Sequence, residues 1–338
     1  MLGLWRLVEP SLWTREADSD HSDPGLSMMR TLFDQPRWLE ACHLYDERGA
    51  QLFDRICELP EYYLTRTENS ILAGDAARVI AAAPVERIVE LGAGFAKKTM
   101  HLLREQVRQR GRGTFVPIDV SLVALAASRD AVMRELPQLE FQGLLARYDE
   151  AISRIDDAPP TLFVFLGSSV GNFTPPEFVR FFDHLSRSIG AGDFFLLGVD
   201  RIKEADILEK AYNDSRGVTA EFILNVFEHI NRVLKSDFDR QKMRYSAWYN
   251  REWRQVEMYA VSTASQEIRF RANGCGFLWE SGDRILVEIS RKFDPERLQE
   301  QLRLFNLDPV AHFADEKNWF SLLLFRKSKS GVGGRKET

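Results

Sequence analysis

The strongest constraint on the fold is a short apolar segment that ends in a glycine turn, residues 87–94 (RIVELGAG). Apolar runs of this length, followed by turn residues, are typical of strands buried on both faces of a sheet. Similar runs occur at residues 114–118, 139–141, 162–166 and 194–197, and helical periodicity occupies residues 71–83, 98–109, 123–135, 176–188 and 202–213. This alternation predicts right-handed crossovers and an α/β fold with a doubly wound, mostly parallel sheet.

Residues 258–293 follow a different pattern, in which alternating runs are separated by turn residues such as Gly274 and Gly282. Such alternation is typical of antiparallel strands. At about 150 residues per domain, 338 residues correspond to about two domains, or to one domain with a large insertion. The chain is therefore longer than one parallel nucleotide-binding unit requires.

Composition excludes several classes of partner. Lys and Arg number 45 and Asp and Glu number 50, which gives a net charge of −5 and no overall positive field to attract nucleic acid. No apolar run approaches the ~20 residues that span a bilayer, and the N-terminal residues do not resemble a signal peptide. We therefore expect a small-molecule substrate, with neither nucleic acid nor membrane as a partner.

The cysteines and histidines lack the spacing of disulfide or metal sites. Cys42, Cys57 and Cys275 are widely scattered and form no CxxC pair, which suits a reducing cytoplasm. The six histidines show no ligand spacing such as HExxH, so no metal is expected. We expect a cytoplasmic protein that is a monomer or a weak homodimer.

The glycine turn favours a particular cofactor. Lys97 stands where a dinucleotide fingerprint requires a third small residue, and no GxxxxGK[ST] motif is present. The carboxylate of Glu90, just before Gly92 and Gly94, would repel a phosphate and attract an amine or a sulfonium. Asp119 ends the next strand, where a carboxylate can accept hydrogen bonds from ribose hydroxyls. S-adenosylmethionine fits this set, although the same residues can also form an ordinary capped strand end.

Four segments carry a closer resemblance: residues 59–68 (LPEYYLTRTE), 89–92 (VELG), 165–172 (FLGSSVGN) and 288–293 (EISRKF). Together they closely resemble the histidine-specific N-alpha-methyltransferases of ergothioneine biosynthesis, over about residues 38 to 326. The resemblance implies a class I, Rossmann-like methyltransferase domain with a second, α+β substrate-binding domain. It further implies that L-histidine is converted to its trimethylbetaine, hercynine, with three molecules of S-adenosylmethionine.

The resemblance also implies roles for individual residues. Gly92, Lys98 and Asp119 match the family's cofactor contacts. The positions that match its histidine pocket are Tyr45, Phe53, Tyr62, Gly167, Asn172, Tyr212, Met258, Glu288 and Ser290. In the family, the counterparts of Tyr62 and Glu288 contact the imidazole nitrogens, and those of Asn172 and Tyr212 hold the amino-acid head group. Tyr45 and Tyr62 are the phenols available to relay a proton, and the sequence does not choose between them.

Taken alone, some of these residues have ordinary structural explanations. Tyr62 can cover a core with its apolar ring, Asn172 is a common turn residue, and Met258 is a common core residue. Glu288 lies between Val287 and Ile289, and an unpaired buried carboxylate costs several kcal/mol or more. Glu288 therefore requires a partner.

One departure from the family concerns adenine. The family usually has an Asp after the third strand, which accepts from the adenine amine, whereas this chain has Arg147 there. Arg cannot accept a hydrogen bond. Either Asp149 replaces the missing acid, or Tyr148 stacking and backbone groups hold adenine, or cofactor binding is weakened. We expect the first two together.

The resemblance divides the chain into two interleaved domains between flexible ends. Residues 1–30 and 327–338 are predicted to be flexible. Residues 31–66 and 202–290 are assigned to the substrate-binding domain, and residues 67–201 and 291–326 to the S-adenosylmethionine-binding domain. Two other functions stay open: a methyltransferase of the same fold acting on another amino acid or amine, and a non-catalytic homologue that binds histidine or a partner.

Overall fold

The computed structural model describes residues 5–15, 24–153, 155, 160–271 and 274–329. Within these ranges the strands are β1 (Trp5–Glu9), β2 (Leu12–Arg15), β3 (Arg87–Leu91), β4 (Gly113–Asp119), β5 (Leu139–Phe141), β6 (Gly143–Leu145), β7 (Thr161–Phe165), β8 (Phe194–Asp200), β9 (Met243–Asn250), β10 (Gln255–Ser262), β11 (Gln266–Arg269), β12 (Gly276–Trp279), β13 (Arg284–Arg291), β14 (Leu307–Ala314) and β15 (Phe320–Lys327). The five strands predicted in the middle third are all confirmed.

Helices pack around these strands. The α-helices are α1 (Pro24–Phe33), α2 (Glu47–Cys57), α3 (Tyr63–Ala82), α4 (Met100–Arg110), α5 (Leu122–Glu135), α6 (Tyr148–Ile152), α7 (Pro175–Ser188), α8 (Ala205–Tyr212), α9 (Val218–Leu234) and α10 (Pro295–Arg303). Short 3-10 helices cover Ala41–Leu44, Ser169–Asn172 and Arg240–Lys242. Local chemistry sets several helix starts: Asp46 caps α2 through the Gly49 N–H, and Thr174 with Glu177 forms a capping box before α7.

The larger sheet is the predicted doubly wound one. Its strand order is β1-β2-β6-β4-β3-β7-β8-β15-β14, with β5 paired to β4. Strands β6, β4, β3, β7 and β8 are parallel, and β15 lies antiparallel between β8 and β14. The chain moves outward from β3 through β4 to β6 and then returns to β7 on the other side of β3. In doubly wound sheets, ligands bind at the carboxyl ends of the strands where the order reverses, here β3 and β7.

The described residues also form two smaller antiparallel sheets, and β13 of one of them contacts the 3-10 turn that follows β7. One has the order β13-β10-β9, and the other pairs β11 with β12, so the predicted antiparallel character of residues 258–293 is confirmed. Helix α9 packs between α2 and the small sheet, with ten of its 17 residues buried. One continuous apolar core contains Val79 of α3, Val164 of β7 and Val226 of α9. The small sheets are therefore packed onto the large one through a shared core.

The division into domains remains a prediction, and two of its boundaries fall inside regular elements. The boundary between residues 66 and 67 lies within α3, which begins at Tyr63 rather than at the predicted residue 71. The boundary between residues 290 and 291 lies within β13, where Arg291 still pairs with Gln255. Both elements run continuously from one predicted domain into the other.

Part of the segment 1–30, which was predicted to be flexible, has regular structure in its described residues. Strands β1 and β2 form a hairpin on the large sheet, β2 pairs in parallel with β6, and α1 starts at Pro24. Residues 1–4 and 16–23 lie outside the described residues. Of the predicted flexible tail, Lys327 is buried at the end of β15, while residues 330–338 lie outside the described residues. Among the described helices, none is long and apolar enough to cross a membrane.

Candidate functional site

A cavity opens where β13 of the small sheet meets the segment after the carboxyl end of β7. The space between its side chains, including the opening to solvent, is about 510 Å³. All nine residues predicted to form the histidine pocket line it: Tyr45, Phe53, Tyr62, Gly167, Asn172, Tyr212, Met258, Glu288 and Ser290. They come from segments as distant as residues 45 and 290, and the fold brings them together.

One wall of the cavity is aromatic. The ring of Phe53 lies 5.5 Å from that of Tyr45, 6.4 Å from that of Tyr62 and 5.8 Å from that of Phe222, with mostly edge-to-face geometry. Arg66 fixes the turn before α3 by donating to the carbonyls of Leu59 and Tyr62. Burial raises the pKa of Tyr62 well above its ordinary value, so its phenol stays protonated and can donate a hydrogen bond.

The opposite wall is polar and comes from β13. Glu288 and Ser290 are two residues apart and therefore point to the same face of the strand. Glu288 lies opposite Met258 on β10, and a β-bulge follows, because Tyr259 pairs with Leu286. A bulge changes the direction in which the side chains of a strand point, and bulges are common next to active sites.

Glu288 has the partner that the sequence required. Asn172 Nδ2 donates to Glu288 Oε1 at 2.9 Å, and no described residue forms a hydrogen bond with Oε2, which can therefore meet a ligand. Burial raises the pKa of Glu288 to about 8, although nearby Lys292 acts in the opposite direction. Near neutral pH the carboxyl group can therefore donate when protonated or accept when ionised.

The Asn172 turn fits closely against β13. A Cβ atom added to Gly171 would lie 2.9 Å from the carbonyl oxygen of Arg291, a distance that requires something to move. Glycine at this position therefore allows the 3-10 turn Ser169–Asn172 to approach the strand that carries Glu288.

The glycine turn after β3 has room for a ligand. Gly92 and Gly94 adopt φ values of +68° and +51°, and a Cβ added to either would meet no atom within 4 Å. Asp119 holds the turn, because its Oδ2 accepts from Gly94 N at 2.7 Å and its Oδ1 from Ser121 N at 2.9 Å. Each oxygen retains a lone pair that can accept from a ribose hydroxyl.

Glu90 has an unused acceptor beneath this turn. Its Oε1 accepts from the Thr99 hydroxyl, whereas Oε2 is buried and has no hydrogen-bond partner in the described part of the chain. Burial raises the pKa of Glu90 to about 8. A buried, half-satisfied carboxyl group suits a ligand that brings donors or positive charge, so these residues fit S-adenosylmethionine.

Lys98 connects the glycine turn to the cavity. Its Nζ forms an ion pair with Glu68, which is fully buried and also accepts from Gly167 N at 2.9 Å. A Cβ on Gly167 would lie 3.5 Å from Lys98 Nζ. Because Lys98 belongs to the predicted cofactor set and Gly167 lines the cavity, the two predicted sites meet at this contact.

The residues predicted to hold adenine form a separate group near α6. Tyr148 packs against Phe165 and Phe181, with ring centroids 5.5 Å and 5.8 Å away. Arg147 precedes α6 and pairs with Asp149 through two contacts of 3.2 Å. The Asp149 carboxylate has lone pairs that this ion pair does not use, and they can accept a hydrogen bond from adenine. Its role in holding adenine remains a prediction.

Several residues of the site were not predicted. The cavity is also lined by Ile56, Leu64, Ser168, Ser169, Thr219 and Phe222. Thr219 and Phe222 belong to α9, a helix that was not predicted although its apolar residues recur at the helical period. Glu68 could have been found, since a glutamate within an otherwise apolar helix face requires a buried partner.

The model of the family described as "Histidine-specific methyltransferase, SAM-dependent" matches residues 25–327. This chain belongs to that family. Its predicted α/β methyltransferase fold and its dependence on S-adenosylmethionine are thereby confirmed.

Named relatives cover most of the chain. Histidine N-alpha-methyltransferase of Mycobacterium tuberculosis (strain CDC 1551 / Oshkosh) is 37% identical over 293 residues, which are 86% of this chain and 89% of the relative. Its namesake in Mycolicibacterium smegmatis is 35% identical over 289 residues, 86% of this chain and 88% of the relative. Ergothioneine biosynthesis protein 1 of Neurospora crassa is 31% identical over 314 residues, 88% of this chain but 34% of that longer protein.

Proposed function

We propose that this enzyme transfers methyl groups from S-adenosylmethionine to the α-amino group of L-histidine, up to trimethylation to hercynine in ergothioneine biosynthesis. The observation that carries the proposal is Glu288, a buried carboxyl group that lines the cavity with one oxygen held by Asn172 and the other free. The two mycobacterial relatives support the choice of substrate.

Glu288 and Tyr62 together suit an imidazole ring. Neutral imidazole offers one N–H donor and one nitrogen acceptor. The protonated phenol of Tyr62 can donate to the acceptor nitrogen, and the free oxygen of Glu288 can accept from the N–H. An apolar ring of the same size would leave both protein groups unpaired, which strongly disfavours it.

Positioning supplies most of the expected acceleration. S-adenosylmethionine, when bound, supplies an electrophilic methyl group on its sulfonium. The cavity residues hold the deprotonated α-amine in line with that methyl group, and such alignment is worth up to ~7–11 kcal/mol in favourable cases. Gly92, Gly94, Lys98 and Asp119 are proposed to hold the donor, with Glu90 facing its positive charge. Glu68, which pairs with Lys98 and accepts from Gly167 N, supports the proposal that the donor and acceptor sites adjoin.

Proton removal is proposed to go through water held by Tyr45 or Tyr62. Tyr45 is 37% exposed and can contact solvent, whereas Tyr62 is 7% exposed. Successive methylation removes N–H donors from the amine until none remains on the quaternary product. Recognition of the head group should therefore depend mainly on the carboxylate, for which Asn172 and Tyr212 are the proposed partners.

We propose a cytoplasmic enzyme that acts as a monomer or weak homodimer. The free state of Cys42, Cys57 and Cys275 supports a reducing compartment. The net charge of −5 supports a small-molecule substrate rather than nucleic acid.

The proposal is tested by incubating the purified enzyme with S-adenosylmethionine and each of the twenty amino acids, followed by mass spectrometry. L-histidine is expected to gain one, two and then three methyl groups, while the other amino acids stay unmodified. Methylation of another amino acid in preference to L-histidine would overturn the substrate assignment. No product from any of them, together with no binding of S-adenosylmethionine, would leave the non-catalytic homologue as the better account.

A further inference from the structure

A buried cluster of charged residues lies directly behind the polar wall of the cavity. Lys292 follows β13 and is fully buried, with its Nζ 2.8 Å from Oδ2 of the equally buried Asp200. Oδ1 of Asp200 pairs with Lys203, and the Tyr63 hydroxyl donates to the same carboxylate at 2.9 Å. Two ammonium groups and one carboxylate leave this cluster with a net positive charge next to the cavity.

Lys292 also reaches the cavity wall itself. Its Nζ donates to the Tyr212 hydroxyl and to Ser290 Oγ, each at 2.8 Å. With Asp200 as the third acceptor, all three N–H groups of the ammonium are in use. The hydroxyls of Tyr212 and Ser290 are 2.7 Å apart, so one of them donates to the other.

This arrangement determines what the wall can offer to a ligand. Both hydroxyl oxygens already accept from Lys292, and within the described residues neither hydroxyl has any further acceptor. Whichever hydroxyl donates to its neighbour, the other has one hydrogen left, and only the cavity remains for it. The wall is therefore a hydrogen-bond donor backed by positive charge, and such a wall favours an anionic acceptor.

We propose that Lys292 is a positioning residue that orients the hydroxyls of Tyr212 and Ser290 as donors and thereby selects the carboxylate of the substrate. The inference rests on the proposed function, since it names the part of the amino acid that this wall recognises. Burial acts to lower the pKa of Lys292, but Asp200 and Tyr212 outweigh it and the pKa is raised, so the ammonium keeps its proton.

The test compares L-histidine with histamine, which has the same ring and amine but no carboxylate. Both affinities are measured by calorimetry with the full-length protein in the presence of S-adenosylhomocysteine. Lys292→Met is expected to lower the affinity for L-histidine about tenfold or more, because a charge-assisted hydrogen bond to the carboxylate is lost. The affinity for histamine should fall less than threefold. Should this variant fail to fold, Lys292→Gln offers a polar side chain, and its amide oxygen would attract the hydroxyl hydrogens away from the cavity, with the same expected result.

Lys203→Met is the matched control, because it removes the other ammonium of the cluster without touching Tyr212 or Ser290. In Lys203→Met, the ratio of the L-histidine affinity to the histamine affinity should differ from that of the parent protein by less than threefold. This holds even if the melting temperature of the variant is lower. Equal losses for both ligands in the Lys292 variants, or an equal change of the ratio in Lys203→Met, would overturn the positioning role. A parent protein that binds neither ligand would instead contradict the proposed function.

Discussion

Asn172 Nδ2 donates a 2.9 Å hydrogen bond to Oε1 of Glu288, two side chains that are 116 residues apart in the sequence. The bond joins the turn after β7, where Gly167 N donates to the same Glu68 that pairs with Lys98, to the strand that forms the polar wall of the cavity. It holds one carboxyl oxygen in place and leaves the other for a ligand. The proposed recognition of the imidazole ring depends on these different roles of the two carboxyl oxygens.

Glu288→Ala should weaken L-histidine binding by more than tenfold and change S-adenosylmethionine affinity less than threefold, because the carboxyl group lines the cavity and not the glycine turn. Calorimetry with each ligand measures both values. Glu257→Ala is the control, since Glu257 is a buried carboxylate one residue out of phase on the neighbouring strand β10. It should cost stability while preserving L-histidine affinity. Equal losses of both ligands in Glu288→Ala would contradict the pocket assignment.

The stability of the unliganded protein should depend on the protonation of Glu288. Burial raises its pKa from 4.5 to about 8, so the folded protein holds this proton more tightly than the unfolded chain does. Stability from this group is complete below pH 4.5 and is lost as the pH rises through about 8. Glu288→Gln keeps an Oε1 acceptor for Asn172 and cannot ionise. Its melting temperature should match the parent near pH 4.5 and exceed it at pH 9; a constant difference at both pH values would contradict the assignment.

Asp149→Ala should weaken S-adenosylmethionine binding several-fold, as loss of one hydrogen bond to adenine predicts. Glu150→Ala removes the next carboxylate of the same helix, which also lies near Arg147, and should leave the affinity unchanged. Arg147→Asp restores the acid usual in the family and should tighten binding. Calorimetry that finds Asp149→Ala as tight as the parent would eliminate its role and leave adenine to Tyr148 and backbone groups.

Gly171→Ala should destabilise the protein by about 1–3 kcal/mol and reduce L-histidine affinity, because the new methyl group would push the Asn172 turn away from Arg291. Gly74→Ala is its counterpart, since Gly74 lies within α3 and a Cβ there meets no atom within 4 Å. That change should stabilise the protein by about 0.5–1 kcal/mol. Thermal unfolding measures both effects. The packing of Gly171 against Arg291 would be contradicted if both variants lost stability, or if neither did.

Five strands of the large sheet were predictable because each is a short, mostly apolar run, as burial on both faces requires. The β1–β2 hairpin was not, because its place depends on pairing with β6, about 130 residues later in the chain. Helix α9 was not predicted, although its sequence is amphipathic and its apolar residues recur at the helical period. Phe222, Val226 and Ile230 are spaced four residues apart on its buried face.

The two halves of the site also differ in how far they could be predicted from the sequence alone. The glycine turn is local, so Glu90, Gly92 and Gly94 could be interpreted from their neighbours in the sequence. The cavity depends on distant segments, and its nine predicted residues came from resemblance to a family rather than from any local pattern. The partnership of Lys292 with Asp200 and Tyr212 was invisible in the sequence, because it joins three separate elements through buried contacts.

The bulge in β13 has a consequence for how such a pocket can change. On one side of it Glu288 pairs opposite Met258, and on the other side Leu286 pairs opposite Tyr259, so Val287 is the extra residue of the strand. A bulge bends its strand and increases the local twist. Deleting Val287 would leave both pairings in place, remove the bend and so change the direction in which Glu288 points, without replacing any residue of the polar wall. Substrate specificity in this fold can therefore change through the length of a strand as well as through its amino-acid residues.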